Sequence, residues 1–224
     1  MENNSQKKAF VMYEADSWFE RNKAYLENYQ PEKDEVIQIM KKYGLNPASV
    51  LEIGCSAGYR LNSIQQQHEA CRVFGLEPSQ KAIEYGKERF KEVAFEHGTA
   101  DNLSAYADGS MDVVIVGFVF YVVDRNIVLK VISEVDRVLK NGGTLIIVDF
   151  FSETPLKNQY HHITNFPAYS FKQNYDEIFT ASRLYYLLDK TTLSHTTRKP
   201  DASEDYFNKY SISLLKKDVF ASYK

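Results

Sequence analysis

Gly54 and Gly58 bracket the turn Gly54-Cys55-Ser56-Ala57-Gly58, which follows directly on the apolar run Ser49 to Ile53. Glycines let the backbone bend tightly and approach a ligand with no side chain between them. A helix starting there would offer unpaired amide groups. Glu77 closes the next apolar run, where a carboxylate can accept both hydroxyls of a ribose, as in a dinucleotide-binding unit. A lone Gly-x-x-x-Gly fits any strand-to-helix turn; joined to Glu77 at the next strand end, it points to nucleoside binding. Farther along, His161 and His162 stand side by side in the segment KNQYHHITNFPAYSF. Imidazoles exchange protons near neutrality, so both are candidate bases. No carboxylate or third imidazole has a matching spacing, and no metal site is expected.

The residues between the glycines narrow the choice of nucleoside. The dehydrogenase fingerprint wants glycine at its first, third and sixth positions. Counted from Gly54, those positions hold Gly54, Ser56 and Tyr59. Glu52 also places a negative charge at the strand end, which disfavours a pyrophosphate and attracts an ammonium or sulfonium centre. An NAD(P)-dependent oxidoreductase is therefore the weaker enzyme reading. A non-catalytic protein that binds an adenosine cofactor is the alternative from another class.

These residues sit in an alternation of short apolar runs and amphipathic stretches. Met1 to Lys8 is polar and expected to fray, and Ala9 to Tyr29 mixes aromatics with charges at roughly helical spacing. This amino-terminal arm, residues 1–30, could pack on the domain or cover its cleft. Pro31 opens a helix with Val36, Ile39, Met40 and Tyr43 as its buried stripe and Gly44 as its stop. Strands are expected at Ser49 to Ile53, Arg72 to Leu76, Val93 to Glu96, Met111 to Val116 and Thr144 to Val148. Helices should connect them: one to about Gln67, one from Ser79 to Phe90 with Ser79 as N-cap, and one from Arg125 to Leu139 ended by Asn141-Gly142-Gly143. This order gives a mostly parallel sheet with right-handed crossovers. The rest, within one domain spanning 31–224, holds an insertion at about 151–182 with a short helix near Tyr175 to Ala181. Two strands, Arg183 to His195 and Tyr206 to Leu215, then form an antiparallel edge pair.

With these elements in order, the chain resembles the class I S-adenosylmethionine-dependent methyltransferases, of the small-molecule kind with a type 11/25 methyltransferase domain. The matching motifs are LEIGCSAG at Leu51 to Gly58, Glu77 in GLEPS, Gly98-Thr99-Ala100-Asp101, DGSMDVVIV before and through the fourth strand, and VLKNGGTLIIVD. They recur in order over roughly Val36 to Phe150; Ser56 replaces a commoner glycine and is small enough to be tolerated. The resemblance implies a Rossmann-like three-layer α/β sandwich with seven strands ordered 3-2-1-4-5-7-6, strand 7 antiparallel. It implies S-adenosylmethionine as cofactor, S-adenosylhomocysteine as product, and in-line methyl transfer to an O or N atom of a small-molecule acceptor. Glu52 and Gly54 would then lie near the methionine part, with Cys55, Ser56 and Gly58 continuing the turn beneath it. Glu77 and Pro78 would hold the ribose, Asp101 and the Asn102 or Leu103 backbone the adenine edge, and Gly117 and Phe118 the reactive end. Tyr121, Tyr160, Tyr169 and Tyr175 are candidate walls of the acceptor pocket. So are Trp18, Phe19, Arg21 and Asn22 in DSWFERNKAYL, a region that related enzymes use as a lid.

Composition agrees with a globular enzyme of this size: 44% apolar and 25% charged residues suffice for a sizeable core without disulfides. The 14% aromatic fraction suits either a core of large side chains or a ring-lined cleft. A net charge of −3 without a basic block argues against a dedicated nucleic-acid binder; Lys216-Lys217 reads as a solvated strand end. Cys55 and Cys71 fall in buried segments and are expected as structural thiols. With no signal-like or membrane-length apolar run, the cytoplasm is the expected location, as a monomer or homodimer with no membrane partner.

Overall fold

The computed structural model describes residues 5–203, 206–220 and 223. Its helices are α1 (Ser5–Ala9), α2 (Ala15–Glu27), α3 (Glu35–Lys42), α4 (Tyr59–Gln67), α5 (Gln80–Arg89), α6 (Val128–Val138) and α7 (Asp176–Ala181). The strands are β1 (Ser49–Ile53), β2 (Arg72–Glu77), β3 (Val93–His97), β4 (Met111–Gly117), β5 (Leu139–Phe150), β6 (Leu156–Gln159), β7 (Tyr169–Lys172), β8 (Tyr185–Ser194) and β9 (Lys209–Lys217). Seven of them form one sheet in the order β3-β2-β1-β4-β5-β9-β8, and β6 pairs with β7 apart from it. Strands β1 to β5 run parallel, while β9 lies antiparallel between β5 and β8. This is the expected 3-2-1-4-5-7-6 arrangement.

The apolar runs explain the layers. Alternate residues of a strand face opposite sides of a sheet. Leu51, Ile53, Val114 and Val116 pack with Val131, Val135 and Val138 of α6 on one face. Val50, Val113 and Ile115 pack with Val36 and Ile39 of α3 and with Leu61 and Ile64 of α4 on the other. Each fully buried side chain of this size contributes about 1.5–3 kcal/mol of transfer free energy. The register pairs Ile53 with both Leu76 and Val116, so β1, β2 and β4 end together. Gly54, Glu77 and Gly117 are thereby delivered to one edge.

Several local expectations change. Ser5–Lys8, expected to fray, is helical, because Gln6 donates to the carbonyls of Val122 and Tyr169 and accepts from the Tyr169 amide. The arm continues through a π turn at Phe10–Glu14 into α2. The Asp16 carboxylate of α2 accepts from Ser79 Oγ and the Lys81 amide, tying the arm to the start of α5. Pro31–Lys33 forms a separate 3-10 turn, and Asp34 caps α3 by accepting from the amides of Val36 and Ile37. Its buried stripe includes Ile37, while Tyr43 is exposed. Helix α6 starts at Val128, because Asp124 Oδ1 accepts from the Asn126 amide and makes a turn of the preceding residues. The insertion carries the β6–β7 hairpin pairing where only a loop and α7 are expected. Lys217 is buried, bonded to the carbonyls of Asp136 and Leu139 and paired with the Asp136 carboxylate. Both cysteines are buried and free, and among the described residues no helix is long and apolar enough to cross a membrane.

Candidate functional site

At the carboxyl edge of β1, Gly54 adopts φ +76°, and a Cβ there would lie 2.6 Å from Val119 Cγ2. Only glycine fits that position without displacement. Ser56 also takes a left-handed φ of 49°, which gives a physical reason for a glycine preference there. The Ser56 amide donates to Glu77 Oε2 at 2.8 Å, and the Ser79 amide donates to Oε1 at 2.9 Å. The glycine turn and the acid are thus one hydrogen-bonded unit. Glu77 is 8% exposed. Burial pushes its carboxyl up to about 7, against the pull of the Ser79 and Ser56 amides. Each of its oxygens has one amide partner and retains acceptor capacity for a hydroxyl.

Asp101 lies farther along the same edge. It accepts from Thr99 Oγ1 at 2.8 Å and pairs with Lys7 at 2.8 Å. Burial would raise its carboxyl, but Lys7 and Thr99 prevail and hold it below the usual range. The neighbouring amides are already used: Asn102 N donates to Thr99 O, and Leu103 N donates to a Glu134 carboxylate oxygen. The expected adenine contact through those two amides is therefore not available, and Asp101 alone presents a polar group there.

Glu52 does not stand as a bare charge. Arg60, one turn into the helix after the glycine turn, bonds Glu52 Oε1 and also reaches both oxygens of Asp34. The pair lies under Gly117, whose added Cβ would be 3.4 Å from Arg60 Nη1. Burial raises the Glu52 carboxyl, with Arg60 opposing. Its Oε2 and the neighbouring Ser56 Oγ are buried without a hydrogen-bond partner. The electrostatic argument against a pyrophosphate is weaker than the sequence suggests, since two acids share one guanidinium and leave a net charge of about −1.

Beyond β4 the chain turns at Phe118, which has φ +52°. Asp149 at the end of β5 holds this turn by accepting from the amides of Val119, Tyr121 and Phe150. Asp149 is 1% exposed, and burial pushes its carboxyl up to about 7 against those amides. From the arm, Glu14 accepts from Arg21 and from the Tyr160 hydroxyl, the latter at 2.6 Å. Its second oxygen is buried without a partner. His161 and His162 lie 4.0 Å apart, centroid to centroid, and both rings flank Tyr160. Burial, Arg21 and His161 together hold His162 below the ordinary imidazole range.

These groups border one cleft of about 1720 Å³. Glu52, Gly54, Cys55, Ser56, Glu77, Pro78, Asp101, Gly117 and Phe118 line it on the sheet side, and Trp18, Arg21, Asn22, Tyr121, Tyr160, His161 and His162 line it on the arm side. Five expected residues lie elsewhere. Phe19 is buried with Ala57, Ala82 and Tyr85, where it docks the arm. Gly58 caps α4 in the left-handed region, its Cα facing Phe95. Asn102 is exposed and accepts from the Ser104 amide. Tyr169 sits in the small hairpin with Lys157 above its ring. Tyr175 is 3% exposed, stacked on Phe120 in the core, and donates to the Phe171 carbonyl. Conversely, Arg60, Glu14, Asp149 and His195 are unforeseen. Arg60 had a signal, one helical turn from Gly58 with Glu52 buried beneath; the others converge from segments far apart in the chain. Among the described residues, no cluster of three or more His, Cys, Asp or Glu residues could hold a metal ion.

Residues 51–147 match the methyltransferase domain family. The chain is 34% identical over 106 residues to a demethylmenaquinone methyltransferase of Thermotoga maritima, covering 47% of this chain and 44% of that protein. It is 30% identical over 133 residues to a ubiquinone/menaquinone biosynthesis C-methyltransferase of a Geobacter species, covering 54% and 55%. The chain thus spans about half the length of the curated relatives it matches. Among solved structures, the 1,6-didemethyltoxoflavin-N1-methyltransferase of Burkholderia thailandensis superposes with a TM-score of 0.69 at 12% identity, covering 96% of this chain and 90% of that one. With the strand order, the glycine turn and the domain match in agreement, the chain has the fold of the class I S-adenosylmethionine-dependent methyltransferases.

Proposed function

We propose that this protein is an S-adenosylmethionine-dependent methyltransferase acting on an O or N atom of a small-molecule acceptor. The observation that carries the reading is the union of the Gly54 turn with Glu77 through the Ser56 amide, at the edge where three parallel strands end together. Glu77 would take the ribose hydroxyls on the lone pairs its two amides leave free. Asp101 would receive the adenine amine, and Lys7 must share or release that carboxylate when it does. Glu52 Oε2 and Ser56 Oγ, both unpartnered, are suited to polar groups of the methionine tail. The cofactor supplies a sulfonium-bound methyl whose carbon–sulfur bond breaks toward sulfur. The protein's own work is to position the acceptor and exclude water. Trp18, Arg21, Tyr121, Tyr160, His161 and His162 form the arm-side wall for that task. The similar Burkholderia enzyme, whose structure holds S-adenosylhomocysteine and a small heterocyclic ligand, supports the reading.

Calorimetry with S-adenosylmethionine, S-adenosylhomocysteine and NAD tests it. Both adenosyl-sulfur ligands should bind, and NAD should bind more weakly or not at all. Glu77→Ala should weaken S-adenosylhomocysteine by about 1.5–3 kcal/mol, the scale of hydrogen bonds to a charged group. Tighter NAD binding, or no effect of Glu77→Ala, would overturn the assignment.

A further inference from the structure

His195 follows directly on β8, in a part of the chain remote from the glycine turn, yet its ring faces the same cleft. It packs against Phe150 at 5.1 Å, Phe118 at 6.0 Å and Tyr210 at 6.1 Å between ring centroids. Phe118 is the first residue beyond β4 and neighbours Gly117, which sits over the Glu52–Arg60 pair. His195 is therefore next to the junction of the cofactor edge and the acceptor wall. His161 and His162 instead stack on Tyr160 on the arm side.

The surroundings of His195 select a kind of acceptor. The nearby walls are rings: Phe118, Phe150, Tyr121 and Phe207 all line the cleft. A flat aromatic molecule would meet them edge-to-face or stacked. Two cations stand at the same place: Lys172 Nζ is 4.8 Å from the Phe150 centroid and 4.7 Å from that of Phe207, and the Arg198 guanidinium is 5.0 Å from that of Tyr210. The charged and titratable groups facing His195 are Arg198, Lys172, Glu35 of α3 and Tyr210 of β9. Glu35 is partly engaged, accepting from the Tyr210 hydroxyl at 2.5 Å and lying 3.6 Å from Arg198. Two cations against one shared carboxylate repel an ammonium acceptor and favour one that becomes an anion.

We propose that the acceptor is an aromatic or enolic hydroxyl compound, bound against Phe118 and Phe150, and that His195 takes its proton. In this step the O–H bond breaks, the proton moves to a ring nitrogen of His195, and the oxygen keeps the electron pair it needs to bond the methyl carbon. Lys172 and Arg198 stabilise the resulting oxyanion, and the imidazolium returns its proton to solvent after product leaves. Burial, Arg198 and Lys172 hold the free imidazole below its ordinary range, so it is neutral and ready to accept a proton at neutral pH.

The inference rests on the methyltransferase reading, and S-adenosylhomocysteine binding is therefore measured first, by calorimetry. If that fails, the failure belongs to the cofactor assignment. With the S-adenosylhomocysteine complex in hand, para-nitrophenol is titrated by absorbance, because its anion is coloured and no turnover is needed. The bound phenol should ionise about one pH unit or more below the free compound, equivalent to about 1.4 kcal/mol in favour of the anion. Heteronuclear NMR should show the His195 ring gaining a proton as the phenol binds. His195→Asn should abolish the NMR signature and most of the ionisation shift while leaving S-adenosylhomocysteine affinity within about twofold. In transfer assays the same variant should lose about 100-fold or more with phenol, a typical scale for a removed general base. The loss should be much smaller with para-nitrophenol at high pH, where the acceptor is already an anion. No phenol binding to the wild-type complex, unchanged ionisation of the bound phenol, or an equal loss for both acceptors would overturn the proposal.

Discussion

The two sides of the cleft are built differently. The cofactor edge comes from the ends of β1, β2 and β4, whose register is set by paired apolar runs, so Gly54, Glu77 and Gly117 are brought together by the sheet itself. The acceptor wall gathers side chains from the arm, the turn after β4, the small hairpin and the end of β8. In the first region, backbone pairing places the chemistry. In the second, single contacts do so, such as Glu14 with Tyr160 and Asp149 with the amides of Val119 and Tyr121. Substitutions on the cofactor side should therefore act on stability and cofactor binding together. Those on the acceptor side should separate the two.

The largest effect should come from Arg60, whose loss leaves Glu52 and Asp34 buried with no cation between them. Arg60→Ala should lower unfolding free energy by about 3–5 kcal/mol in denaturant titrations, the usual consequence of stranding a buried charge. A loss below about 1 kcal/mol would show that the acids are solvated or protonated instead. Gly54→Ala comes next: the added Cβ meets Val119, and the left-handed φ adds strain. Thermal and denaturant unfolding should show a loss of about 1–3 kcal/mol, with cofactor binding impaired as well.

A pH titration sharpens the comparison, because one buried acid lies on each side. Glu77 and Asp149 both have folded-state values pushed to about 7 by burial. Those values are raised above the unfolded ones, so the stabilisation they give is fully present below about pH 4 and is lost as pH rises through about 7. S-adenosylhomocysteine binding should run the other way, because the ribose hydroxyls need the ionised Glu77. Its affinity should fall below pH 7, by up to about tenfold per pH unit. Asp149→Asn should leave that dependence in place, whereas Glu77→Gln should flatten it. The smallest effect belongs to Lys7→Ala. Its ion pair with Asp101 is partly exposed, and unfolding should shift by less than about 1 kcal/mol.

Legibility followed the same division. The strand order, the two glycines and Glu77 could be read because parallel strands announce themselves as continuous apolar runs, and strand ends are where such sheets bind ligands. Arg60 escaped notice because nothing in the spacing says that Glu52 is buried deeply enough to need a cation. Tyr175 and Phe19 were legible as large aromatics, but their direction was not: one fills the core beside Phe120 and the other docks α2 on α5. Gln6 is the clearest case of tertiary context overriding composition. A polar amino-terminal segment reads as frayed, yet this side chain completes the backbone bonding of Tyr169 and orders the arm. His195 lay unnoticed at a strand end because its neighbours Phe118, Phe150 and Tyr210 are far away in sequence.

A crystal structure of the protein with S-adenosylhomocysteine tests the central claim most directly. The account predicts both ribose hydroxyls within about 2.5–3.0 Å of the Glu77 carboxylate, with the sulfur facing Phe118. A nucleoside bound elsewhere, with the Glu77 oxygens still held only by the Ser56 and Ser79 amides, would contradict it.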